Sequence, residues 1–250
     1  MGTEQLIIAT IILFFSSMTQ AMIGFAFNLL AIPLLIWTGF SLAESIVLTV
    51  IPIFVQLVTN AWKLRHEIIW DDIKIPMAIR YITLPIGIWL LYTVNNLDID
   101  TIKQFVGIML LIILAVQFFI TFKPRKTLPL YWDILAFGAS GVMLGVLGMG
   151  GPAIVLWLMA HDWTVMRTRA FITAVFLLAS PVQIALLYWK FGDTLLQSFV
   201  WGIVATPIVI VGALIGLKIG NSFNKAKLKK TVMFFLFLTA VISIISPYMK

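Results

Sequence analysis

Eight long apolar stretches, at residues 5 to 38, 42 to 63, 75 to 94, 102 to 122, 131 to 160, 170 to 190, 195 to 217 and 230 to 247, use up almost the whole chain. Runs of about 20 apolar residues are the length at which a helix crosses the hydrocarbon of a bilayer. With 62% of its 250 residues hydrophobic and 11% charged, the chain cannot cover itself with polar surface, and it reads as an all-α integral membrane protein. The short connectors leave no room for a soluble catalytic or nucleic-acid-binding domain. The formal net charge of +7 is therefore read as cytoplasmic loop charge, and no nucleic-acid partner is expected. The absence of cysteine excludes disulfides, thiolate nucleophiles and cysteine-ligated metals. Glu4 is the only charge ahead of the apolar run that opens at Leu6, so this run reads as a retained membrane segment and not a cleaved leader.

The stretches come in two sets. Val55-Gln56 and Trp62-Lys63 recur at the same internal spacing as Val182-Gln183 and Trp189-Lys190. Upstream, Met22-Ile23-Gly24 with Pro33 is matched by Met143-Leu144-Gly145 with Pro152. The chain is read as two pseudo-symmetric membrane repeats of four segments each, residues 1–122 and 131–250, joined by a cytoplasmic linker at 123–130 that contains Lys123-Pro124-Arg125-Lys126. Paired units with interrupted apolar segments are a signature of secondary transporters.

The first segment of each set must break. Residues 5 to 38 as one straight helix would run about 50 Å at 1.5 Å per residue, against a hydrocarbon core of about 30 Å. Thr19, Gln20, Gly24 and Asn28 interrupt the first, and Gly145, Gly148, Gly150, Gly151 and Pro152 interrupt the fifth. Charge placement favours re-entrant hairpins over broken spans. If all eight segments crossed, the linker and the loop with Lys218, Lys225, Lys227, Lys229 and Lys230 would face opposite sides, against the positive-inside rule. A hairpin in each half leaves three crossings per half and inverts the halves relative to one another. The Asn95 to Asp100 stretch then faces outward, and the broken continuous helix is the alternative.

Two adjacent glycines and a proline exceed what a packing face needs. They free backbone N–H groups at a new helix start, whose positive dipole end suits an anion. The Gly141/Gly145 pair also reads as close helix packing, and in the first repeat Asn28 offers a side-chain amide where the second offers backbone. These elements, the eight short-looped segments and the basic midpoint linker resemble the TauE/SafE, or sulfite exporter, family over essentially the whole chain. The resemblance implies a multi-pass carrier of the cytoplasmic (inner) membrane for small sulfur-containing anions such as sulfite and organosulfonates. The first motif departs from the family pattern, with Phe25, Phe27 and Asn28 where glycine is frequent.

The candidate substrate-binding residues are Gln20, Gly24 and Asn28 at the first interruption, Gly148, Gly150, Gly151 and Pro152 at the second, and the duplicated amides Gln56 and Gln183. For each amide, ligand contact and an interhelical hydrogen bond are both open. Pro85 and Pro207, in the third segment of each half, read as kinks. Arg80 reads as a cation that snorkels to the interface, with a vestibule charge as the other reading. Arg167 and Arg169 are explained by topology. Glu44 is placed at the interface, so no carboxylate is available for a proton or sodium site. No cofactor, metal or catalytic residue is expected. The partners are a small anion and the bilayer, with homo-oligomerisation left open. Two rival readings are an anion channel and a rhomboid-like intramembrane serine protease, the latter from Gly138-Ala139-Ser140-Gly141, although His66 and His161 both fall in loops.

Overall fold

The computed structural model describes residues 2–23, 26–119, 124–125, 128–220 and 225–249. Among them the chain is helical: α1 (Thr3–Ile23), α2 (Phe27–Trp37), α3 (Leu42–Leu64), α4 (Trp70–Asn95), α5 (Ile99–Phe119), α6 (Leu130–Leu147), α7 (Gly151–Met159), α8 (Val165–Phe191), α9 (Leu196–Gly220) and α10 (Lys225–Ile245). Among the described residues, seven stretches are long and apolar enough to cross a membrane. One of them, Val165–Gly220, comprises α8 and α9 joined by a 3-10 turn at Gly192–Leu195. Each expected segment is present, but the third begins at Trp70 and not at residue 75, because Asp71, Asp72 and Lys74 form its polar first turns.

The first and fifth segments are broken and fold back on themselves. α1 packs on α2, and the amide of Gln5 near the start of α1 donates to the Thr38 carbonyl just past α2 at 3.0 Å. α6 packs on α7 in the same way. Trp157 near the end of α7 donates its indole N–H to Asp133 in the first turn of α6 at 2.7 Å, and its ring lies 5.1 Å from that of Phe137. The local chemistry of the second break is plain. Gly148 adopts a left-handed conformation (φ 68°), its N–H returns to the Leu144 carbonyl, and that of Met149 returns to Met143, which closes α6. Pro152 then occupies an early position of α7, where a missing N–H costs nothing. At the first break the left-handed position beside α2 is held by Ala26 (φ 92°), a residue that tolerates it poorly.

Two compact units make up the chain, and each draws on both sequence halves. The first, residues 1–52, 94–116 and 195–250, packs α1 on α9. A stripe of Gly212, Gly216 and Gly220 brings α9 against α1. A β-carbon added at these positions would stand 2.6 Å from the Phe14 carbonyl, 2.9 Å from Met18 Cα and 2.9 Å from Met22 Cα. Close backbone approach through small residues spaced by four is how helices associate where lipid removes the hydrophobic drive. Glu44 closes a capping box at the start of α3, accepting from the Ser41 N–H at 2.8 Å while Ser41 Oγ accepts from the Glu44 N–H at 3.2 Å. Asp98 caps α5. The Thr101 hydroxyl and N–H both donate to its carboxylate, which holds it below the usual carboxylate range.

The second unit, residues 53–93 and 117–194, packs α6 on α4 by the same device. A β-carbon at Gly87 would stand 2.8 Å from Gly145 Cα, and one at Gly141 would run into the Thr83 side chain. The Gly141/Gly145 pair is thus a packing face for α4. α4 and α8 lie side by side and parallel. Asp72 pairs with Arg167, Arg80 reaches Val175, the Tyr81 hydroxyl donates to the Leu178 carbonyl, and Lys190 lies over the Tyr92 ring.

Candidate functional site

Among the described residues, Arg80 is the charged side chain that the fold encloses completely. The apolar face of α4 is formed by Ile73, Met77, Leu84, Gly87 and Leu91, and Arg80 sits in register with them, about 15 Å along the helix from Trp70 at 1.5 Å per residue. Its exposure is 0%, so it does not snorkel. The snorkelling reading failed because it judged depth from residue 75 and ignored the face on which the side chain falls. A buried cation needs a counter-charge or a full set of acceptors. Arg80 has neither among the described residues. Nη1 donates to the Val175 carbonyl at 3.3 Å, while Nε and Nη2 have no hydrogen-bond partner and no carboxylate lies within ion-pair distance. The guanidinium carbon lies 4.7 Å above the Phe176 ring, a cation–π contact worth about 0.5 to 2 kcal/mol, far less than burying the charge costs.

The free side of this guanidinium faces the α6–α7 break. A β-carbon added at Gly150 would stand 3.0 Å from Arg80 Nη2 and 2.8 Å from both the Ser140 carbonyl and Leu144 Cβ, so only glycine fits there. The Ser140 hydroxyl donates to the Gly150 carbonyl at 2.6 Å, which satisfies that acceptor. At Gly151 a β-carbon would meet only Phe176 Cζ, at 3.8 Å, which makes this the roomy side of the break. α7 starts here, and its first N–H groups lack partners within the helix. The arrangement joins a permanent cation, unused N–H donors and an apolar ring, which is the donor set for a small oxyanion.

Of the expected site residues, Gly148, Gly150, Gly151 and Pro152 form the break itself. Gln183, 2% exposed, joins them through backbone: its amide donates to the Leu144 carbonyl at 3.0 Å in the last turn of α6, bracing the helix end. Gln56 lies in α3, half-buried, with its amide oxygen lacking a hydrogen-bond partner among the described residues. Gln20 and Asn28 belong to the other unit, in the last turn of α1 and at the start of α2; both are half-buried. Gly24 lies outside the described residues. Arg80 was not among the expected site residues, and its helical register was the signal that marks it.

A second feature lies nearer the start of α4. A cavity of about 290 Å³ is lined by Asp71, Asp72, Asp133, Trp157, His161, Trp163 and Arg167, among others. Two of its three carboxylates have partners within it, Asp133 accepting from Trp157 and Asp72 pairing with Arg167. Arg167 Nε and Nη2 both donate to one Asp72 oxygen, at 3.0 and 2.6 Å, while its guanidinium covers Trp163 at 4.2 Å. His161 Nδ1 donates to the Trp157 carbonyl at 3.0 Å. Ser140 is fully buried with its hydroxyl committed to Gly150, and the His161 ring is engaged with Trp157 and Trp163, so the Ser-Gly motif of α6 serves the helix break.

Neither a curated protein nor a solved structure gave a match to the chain. The family model of the sulfite exporter TauE/SafE matches residues 9–242, nearly the full length. The chain belongs to the TauE/SafE family of membrane transporters.

Proposed function

We propose that the protein is a secondary transporter that moves small sulfur-containing anions, sulfite or organosulfonates, across the cytoplasmic membrane by alternating access between two inverted repeats. The observation that carries this reading is the enclosed Arg80 guanidinium, with two nitrogens unpaired, beside the start of α7. An anion that fills this place removes the cost of the buried charge, which makes the site a strong anion trap in a low dielectric. Gly150 and Gly151 supply approach to the backbone, Gln183 and Ser140 hold the break in shape, and Gln56 of the same unit is a further proposed ligand position. A protease has no support from Ser140, and a channel would need a ring of charges that a single arginine does not make.

The test is uptake of radiolabelled sulfite and of an organosulfonate into liposomes carrying the purified protein. Saturable uptake is expected, and Arg80→Gln should lower it by about 100-fold or more, as loss of one partner of a buried charge pair does. Wild-type protein that moves neither anion, or an Arg80→Gln protein that transports at the wild-type rate, would overturn the proposal.

A further inference from the structure

We infer that the Arg80 site selects oxyanions with a single negative charge, such as an organosulfonate or the hydrogen form of sulfite, and rejects dianions of the same size. The inference rests on the reading of Arg80 and the α7 start as the substrate site. A charge count carries it. Arg80 contributes one permanent positive charge. The partial positive charge at the start of α7 is offset by the partial negative charge at the end of α6, because α6 closes at Leu147 and α7 opens at Gly151. What remains is close to one unit.

Among the described residues, the helices around Arg80 add nothing to this unit. On α4 the nearest carboxylate is Asp72, about 12 Å back along the helix and already paired with Arg167. On α6 it is Asp133, about 10 Å from Ser140 along the axis. α7 carries no charged residue, and on α8 the nearest cation, Arg169, is exposed at the helix start. The hydroxyl of Tyr81, the neighbour of Arg80 on α4, donates to the Leu178 carbonyl. The neutral side-chain donors Ser140 and Gln183 are committed as well, to the Gly150 and Leu144 carbonyls. A monoanion therefore leaves the enclosed site neutral, whereas a dianion leaves one uncompensated charge in low dielectric. The apolar wall beside the guanidinium points the same way. The Phe176 ring faces both Arg80 and Gly151, and it suits the carbon of a sulfonate better than a fourth charged oxygen.

Methanesulfonate and sulfate are a matched pair of probes, both tetrahedral, differing by a methyl group for one oxygen and by one unit of charge. Binding of each to the purified wild-type protein is to be measured by calorimetry and by competition against labelled methanesulfonate. Sulfate is expected to bind at least about 100-fold more weakly than methanesulfonate, the scale of an unpaired buried charge. Arg80→Gln should weaken methanesulfonate by a similar factor. Arg80→Lys, which keeps the charge and serves if the glutamine variant does not fold, should retain the preference for methanesulfonate. Comparable binding of both probes, abolished together by Arg80→Gln, would overturn the charge selection while leaving the substrate site in place. Binding of neither probe, or binding indifferent to both Arg80 substitutions, would overturn the site itself and the inference with it.

Discussion

The two glycines at the start of α7 differ by what surrounds them, and that difference separates a ligand position from a packing position. A methyl group at Gly151 meets nothing closer than Phe176 Cζ at 3.8 Å, whereas one at Gly150 collides with Arg80 Nη2, Ser140 and Leu144. Gly151→Ala is expected to leave the thermal unfolding temperature in detergent unchanged and to weaken sulfite binding about tenfold or more by occupying the open side of the break. Gly150→Ala should instead destabilise by about 1 to 3 kcal/mol through overpacking. Stable Gly151→Ala protein with wild-type affinity would show that the ligand does not approach α7 there. The glycine run and Gln183 were legible in the sequence because interrupted apolar segments and duplicated amides are visible as patterns. Arg80 was legible too, by its register with Ile73, Met77, Leu84, Gly87 and Leu91, but depth alone concealed it. What no pattern gives is the approach of Arg80 to Gly150, since that is a contact between separate helices.

At the level of elements, both hairpins turn through a left-handed residue, and they do so at different cost. Gly148 carries no penalty, while Ala26 carries about 1 to 2 kcal/mol. Ala26→Gly is expected to stabilise the protein by about 1 kcal/mol, less the extra chain entropy of glycine, as measured by thermal unfolding. A clear loss of stability would mean that the Ala26 methyl group, buried in the fold, contributes packing that outweighs its strain. Hydropathy located every helix and the two breaks, and loop charge alone favoured hairpins over broken spans. The partners of the hairpins were not readable. The stripe Gly212, Gly216 and Gly220 announces a close-packing face on α9, yet nothing in the stripe names α1 as the helix that fills it. Glu44 serves the start of α3 through its capping box with Ser41, a local signal of Ser41 and Glu44 three residues apart. Pro85 and Pro207 lie inside helices that continue through them, so each costs a backbone hydrogen bond without ending its element.

For the molecule as a whole, the pairing of hairpins with helices crosses the sequence halves. The hairpin of the second half packs on α4 of the first, and the hairpin of the first half packs on α9 of the second. The two arrangements are alike in plan and unlike in charge. Aligning Pro85 with Pro207 places Gly202 where Arg80 stands, and Gly202 is closed off by Ile51, whose Cβ would lie 3.0 Å from an added methyl group. The account therefore expects one anion per chain and not two. The most direct test is the structure of the protein crystallised with selenite, with the selenium located by its anomalous scattering. One peak per chain is expected, with its oxygens within about 3 Å of Arg80 Nη2 and of the Gly151 N–H, the distance of a charge-assisted hydrogen bond. A peak in the cavity between Asp133 and Arg167, or at the α1–α2 break, with Arg80 still enclosed and unpaired, would contradict it.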